Sequence, residues 1–266
     1  MGCAAPRVII DVWYPRDAEL VRRLHSRGLV DAAFAPDIPF GAANADSLLA
    51  SWILHSQGVP SIAAISLGSR GPAASASRIL TAYLSGVDGI LVVAGDSRQC
   101  PGAMGVLDAI RMAAALPEVR PPEGVKVSSA LASSLERRPC FLIGAAVDPS
   151  SERSLRLARS KAEAGANILV SQLLPDPAAA AGALSELRPL GIPVALGIPY
   201  APTEGARARF ESLFGLRAPS PRELLASLER VPRDLRSHLY VSPIGADRSG
   251  LEGFLESLAS LRENSI

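Results

Sequence analysis

Lys161-Ala-Glu-Ala-Gly-Ala-Asn-Ile-Leu-Val-Ser-Gln172 reads as a helix end, a sharp turn and a short buried strand closed by an amide. Gly165 falls where a helix running from about Ser151 needs a left-handed C-terminal residue. Asn167 to Val170 is an apolar run too short for a helix, and Ser171 and Gln172 break it. Parallel strands covered by helices are buried on both faces, so polar groups at their C-terminal ends point into a ligand cavity. The stretch therefore predicts a parallel α/β fold with Gln172 at its site.

The same unit recurs on either side. Toward the N-terminus the pattern predicts strands over Val8 to Tyr14, Asp31 to Ala35, Ser61 to Leu67 and Asp88 to Asp96, with Cys140 to Val147 as a fifth. Helices between them end at Gly28, Gly58 and Gly86, and further helices are expected within Gly102 to Ala115 and Ser128 to Arg137. Pro117, Pro121, Pro122 and Gly124 mark a long irregular connection. Beyond Gln172 the pattern gives a helix over Ala178 to Leu190, a strand over Val194 to Gly197 and a helical region within Thr203 to Arg230. A strand over His238 to Ser242 and a helix over Leu251 to Arg262 follow. About eight strand–helix units in 266 residues fit a single-domain (β/α)8 barrel, whose usual length is ~250 residues. No Gly-x-Gly-x-x-Gly follows the first strand, which removes the usual support for a dinucleotide-binding sheet.

A net charge of +1 without a Lys/Arg run gives no field that would attract nucleic acid or an anionic membrane. No apolar run approaches the ~20 residues of a membrane span. Cys3, Cys100 and Cys140 lack metal-ligand spacing, and no signal-peptide pattern opens the sequence, so a reducing cytoplasm is expected. His25, His55 and His238 lie in separate elements, and no metal is expected.

Asp11 interrupts the first strand, Asp96 ends the fourth and Gln172 ends the sixth. A barrel brings all three to its C-terminal mouth. A carboxylate desolvated there has a raised pKa and can act as a general acid, while an amide can orient a planar heterocycle. Trp13, two residues beyond Asp11, shares its face and can wall a flat ligand. Arg16, Arg70 and Arg98 fall in loops on the same side and could hold carboxylate or phosphate groups.

These residues resemble the methylenetetrahydrofolate reductase family. Lys161-Ala-Glu-Ala-Gly-Ala-Asn167 with Ser171-Gln172 is similar to its Lys-x-x-Ala-Gly-Ala segment running to Thr-Gln. Gly86-Val-Asp-Gly-Ile-Leu-Val-Val-Ala-Gly-Asp96 is similar to its Gly-Ile-x-x-Ile-x-Ala-Leu-x-Gly-Asp strand. Shorter pieces, Ile10 to Pro15, Gly144 to Pro149 and Gly197-Ile-Pro199, follow in the family's order. The resemblance implies a (β/α)8 barrel that reduces 5,10-methylenetetrahydrofolate, or a methanopterin analogue, to the 5-methyl form. Asp11 would then protonate the pterin, with Asp96 and Gln172 as catalytic partners and Trp13, Gln172 and Tyr200 as substrate contacts.

FAD would lie against Asp96, Lys161, Ala94, Gly95, Pro36 and Ala64, with NAD(P)H as a possible electron donor. At Pro36, Ala64 and Pro243-Ile244 the residue types differ from the family's flavin contacts. Alternatives left open are a flavin-lacking folate-binding or assembly subunit and another pterin-using barrel such as a methyltransferase. The expected partners are a small-molecule pterin and either a second copy of the chain or a reductase subunit.

Overall fold

The structure, a computed structural model, describes residues 4–39, 42–95, 100–116, 118, 124–128 and 140–263. Eight parallel strands close a barrel in chain order. They are β1 Val8–Asp11, β2 Ala32–Ala35, β3 Ser61–Ser66, β4 Gly89–Val93, β5 Leu142–Val147, β6 Ile168–Leu173, β7 Val194–Tyr200 and β8 Leu239–Pro243. Nine α-helices surround it among the described residues: α1 Ala18–Ser26, α2 Ser47–Ser56, α3 Pro72–Ser85, α4 Val106–Ala114, α5 Glu152–Glu163, α6 Pro177–Ser185, α7 Glu204–Phe214, α8 Pro221–Glu229 and α9 Leu251–Glu263. The expected (β/α)8 barrel is therefore the observed fold.

Several boundaries shift. β1 ends at Asp11, because Trp13 to Asp17 turn away around Pro15, and β4 ends at Val93, short of Asp96. The helix expected over Ala178 to Leu190 breaks into α6 and a short 3-10 turn, Arg188–Leu190. The helical region after β7 is two helices, each opened by a side-chain cap, Thr203 for α7 and Ser220 for α8. Of the helix expected over Ser128 to Arg137, all but Ser128 lies outside the described residues.

Successive strand residues alternate between two apolar layers. The larger packs the barrel against its helices. The smaller fills the barrel's interior with Ile9, Ala32, Phe34, Ile62, Ala64, Leu91, Leu142, Ile168, Val170 and Ala195. Two residues further along each strand, counting from Gly144 on β5 and Tyr240 on β8, which border the same interior space, comes the next inward ring: Asp11, Pro36, Ser66, Val93, Ala146, Gln172, Gly197 and Ser242. That ring is the floor of the C-terminal mouth, and it is where the apolar code stops.

Gly165 has the left-handed φ of +114° expected of it, and a Cβ there would come within 2.4 Å of the Ala114 methyl. The glycine thus both turns the chain into β6 and lets α4 pack against the turn. No helix among the described residues is long and apolar enough to cross a membrane. Cys100 is a free thiol, whereas Cys140 is disulfide-bonded, which runs against the expectation of a reducing compartment.

Candidate active site

A cavity of about 540 Å³ opens over one half of the floor ring, lined among others by Asp11, Trp13, Arg16, Gln172, Arg209 and Ser242. Asp11 is 7% exposed. Its Oδ2 accepts a hydrogen bond from Ser242 Oγ at 2.9 Å, while its Oδ1 is buried with no hydrogen-bond partner among the described residues. Burial raises the Asp11 pKa to about 6, against the opposing pull of the Ser242 and Tyr240 hydroxyls and of Arg248. Tyr240 stands beside it, held edge-on to Phe34 with ring centres 5.5 Å apart. Desolvation and the Asp11 charge push the Tyr240 phenol well above its ordinary pKa, so it stays a hydrogen-bond donor.

Asp17 braces this half of the mouth. Burial pushes its pKa up, but hydrogen bonds from Arg16, Arg248 and the Trp13 N–H outweigh burial and hold it below the ordinary carboxylate value. The Trp13 N–H donates to Asp17 at 3.0 Å, and Arg248 Nη2 donates at 2.8 Å, so the turn after β1 is tied to the loop after β8. Arg16 meets Asp17 through both Nε and Nη2. Arg209, on α7, is exposed at the rim and makes no ion pair or hydrogen bond among the described residues. The side of the mouth facing Asp11 therefore carries one arginine whose charge is spent and one whose charge is free.

Gln172 is placed by a register shift between Val170 and Leu173 where β6 meets β7. A Cβ on Gly197 would sit 2.7 Å from the carbonyl oxygens of Ser171 and Gln172, so glycine permits the close approach that the irregularity requires. Ser171 Oγ donates to the Gln172 carbonyl and accepts from the Gly197 N–H at 2.8 Å, fixing the backbone while the Gln172 side chain stays exposed. Gln172 also borders a second cavity of about 390 Å³, lined by Ser66, Ala94, Gly95, Asp148, Ser154 and Lys161 among others.

The sequence-derived residues thus divide. Asp11, Trp13, Pro36 and Gln172 meet at the first cavity, and Ala94, Gly95, Lys161 and again Gln172 at the second. Ala64 is 2% exposed in the packed interior layer, below the mouth. Tyr200 packs on Phe254 at 4.9 Å and donates its hydroxyl to the Ser249 carbonyl, away from both cavities. Asp96 lies outside the described residues. Tyr240, Ser242 and Arg209 were missed. For the first two the signal was present: on a strand ending Tyr240-Val-Ser242, period two puts both on the inward face that carries Asp11 on β1.

Among the described residues no three His, Cys, Asp or Glu side chains gather as a metal-binding group. Around Asp11 the polar set is one carboxyl, a phenol, a hydroxyl and an amide.

No protein-family model matches the chain, and no curated protein matches it. Solved structures do. An oxaloacetate acetylhydrolase in complex with oxalate is similar at TM-score 0.56 and 16% identity, over 98% of this chain and 83% of that one. A 2,3-dimethylmalate lyase, described as a member of the PEP mutase/isocitrate lyase superfamily, gives 0.54 and 19% over 97% and 83%. An HpcH/HpaI aldolase from Desulfitobacterium hafniense DCB-2 gives 0.51 and 10% over 98% and 94%. At these identities the likeness shows the barrel fold.

These findings correct the resemblance drawn from the sequence. The similar barrels carry the names of lyases, an acetylhydrolase and aldolases, and nothing ties the chain to methylenetetrahydrofolate reductases. The reading as a reductase of CH–NH bonds acting on a pterin is withdrawn, together with FAD, the NAD(P)H donor and the folate-binding alternatives. The motifs misled for a physical reason. A glycine flanked by small residues at a helix end and followed by a buried apolar strand suits a helix–turn–strand unit of a parallel barrel whatever its chemistry. The positions that should have been specific to a flavin carry Pro36, with no N–H to give, and the interior Ala64, which offers no polar side chain.

Proposed function

We propose that the chain is a lyase-type barrel enzyme that breaks or forms a carbon–carbon bond beside the carbonyl of a small carboxylate substrate, with Asp11 as its acid–base group. The observation that carries this reading is the Asp11 carboxyl itself, buried on the floor of the larger cavity with one oxygen unpartnered and its pKa raised to about 6. The names of the similar barrels support the same class of chemistry.

At pH 7 a pKa of about 6 leaves roughly ten carboxylates for each acid form, which suits a base that must also give its proton back. In the cleavage direction Asp11 takes the proton of a hydroxyl on the carbon β to the carbonyl. The bond between that carbon and its neighbour breaks, and its electron pair passes to the carbonyl oxygen as an enolate. The hydroxyl-bearing carbon leaves as an aldehyde or ketone. Protonated Asp11 then returns the proton to the enolate carbon, so each turnover restores the carboxylate. The Gln172 amide and the Tyr240 hydroxyl are the donors facing the developing oxyanion, and Arg209 holds the substrate carboxylate at the rim.

The test is to incubate the protein with a panel of 4-hydroxy-2-oxo acids and β-hydroxy dicarboxylic acids and to read the released oxo acid. Release that falls roughly 100-fold or more in Asp11→Asn is expected for loss of a general acid–base group. A panel left uncleaved, or cleaved equally by the variant, contradicts the reading.

A further inference from the structure

We propose that Lys161 is a carbonyl-reactive amine and that the second cavity takes an aldehyde or 2-oxo acid, which Lys161 binds as a reversible imine. The inference stands apart from the role of Asp11, since the two groups line different cavities that share Gln172.

The first observation is one of residue choice. Lys161 and Lys126 are the two lysines of a chain whose 27 basic residues are otherwise arginine. Among the described residues it is arginine and not lysine that pairs with carboxylates, as at Asp17, Asp37, Asp46 and Asp234. A lysine kept against that habit, and kept at a cavity wall, points to what an ammonium can do and a guanidinium cannot: lose its proton and attack carbon.

The second observation is the setting. Lys161 lies near the end of α5, and its stem runs back along the helix toward the mouth, as side chains tilt toward a helix N-terminus. Nζ donates to the Ala146 carbonyl at 2.6 Å, and no carboxylate pairs with it among the described residues. Ala146 belongs to the floor ring, so the amine is delivered to the level at which substrate would rest. Partial burial without a counter-ion lowers its pKa, which raises the share of free amine at neutral pH. A carbonyl acceptor tethers the nitrogen and leaves its lone pair usable once the proton has gone.

The step balances without an added reagent. The free amine attacks the carbonyl carbon, the C–N bond forms, and a proton passes from nitrogen to oxygen to give a carbinolamine. Protonation of that hydroxyl and loss of water leave the protonated imine, and water reverses the sequence.

Lys126 is exposed and supplies the internal control. The protein is treated at pH 7 with limiting glyoxylate and cyanoborohydride, which fixes any imine as a stable secondary amine, and both lysine peptides are quantified by mass spectrometry. Lys161 is expected to label at least ten-fold faster than Lys126, with the preference retained in Asp11→Asn and abolished by prior unfolding. Labelling of Lys161 at or below the rate of Lys126 overturns the proposal and leaves the reading of Asp11 untouched.

Discussion

The Ser242 hydroxyl donates to Asp11 Oδ2 across 2.9 Å, although 231 positions separate the two residues. The bond follows from closure of the barrel. β1 pairs with β8 in the register Ile10 to Val241, which brings the next residue of each strand side by side at the mouth. A hydrogen bond to the charged form of a buried acid lowers its pKa, so Ser242 sets how far Asp11 can rise.

Removing that hydroxyl should therefore move the pH profile. Hydrogen bonds to charged groups are worth roughly 1.5–3 kcal/mol, and one pKa unit is about 1.4 kcal/mol. Ser242→Ala is expected to shift the acidic limb of kcat/KM upward from about pH 6 by roughly one unit, with the plateau at high pH largely kept. A profile that does not move would show that Ser242 does not tune Asp11.

Asp11 should also cost stability. Its pKa of about 6 in the fold, against an ordinary carboxyl value of 3.8, means that the folded state holds the proton more tightly. The contribution of Asp11 to stability is then most favourable below about pH 4, falls between about 4 and 6, and carries its full penalty above 6, on the order of 3 kcal/mol. Asp11→Asn removes the titration. Its stability relative to wild type, measured by urea unfolding, is expected to improve from pH 4 to pH 7.5 by an amount of that order. A relative stability that is flat or worsens across this range contradicts a raised Asp11 pKa.

Most of the barrel was legible in the sequence because each unit is specified locally. Gly165 and the apolar run to Val170 needed only a left-handed residue and a two-sided burial pattern, and both are as read. Asp11 and Gln172 were legible as polar residues at the ends of such runs. Arg209 was not, since an exposed helix arginine looks like any other until closure sets α7 over the cavity. Ser242 was passed over because a serine near a strand end is ordinary, and only the β1–β8 seam gives it a carboxyl to meet. The family resemblance failed because its strongest motif encodes barrel geometry and not the chemistry at the mouth.

Arg209 should act on binding and not on turnover. It is exposed, makes no ion pair among the described residues and borders the cavity, so its guanidinium is free to meet a substrate carboxylate. Arg209→Ala is expected to raise KM roughly ten-fold, as suits one charge-assisted contact, with kcat within about two-fold. A variant that loses kcat and leaves KM unchanged would place Arg209 elsewhere in the mechanism.

If Asp11 moves protons at carbon beside a carbonyl, proton exchange reads that step without knowledge of the full substrate. The protein is incubated with pyruvate and 2-oxobutyrate in D2O near neutral pH, and exchange at C3 is followed by NMR. Wild type is expected to exchange above the buffer rate, and Asp11→Asn to lose that exchange by roughly 100-fold or more. Exchange that persists undiminished in Asp11→Asn, or wild type that exchanges neither acid, would contradict it.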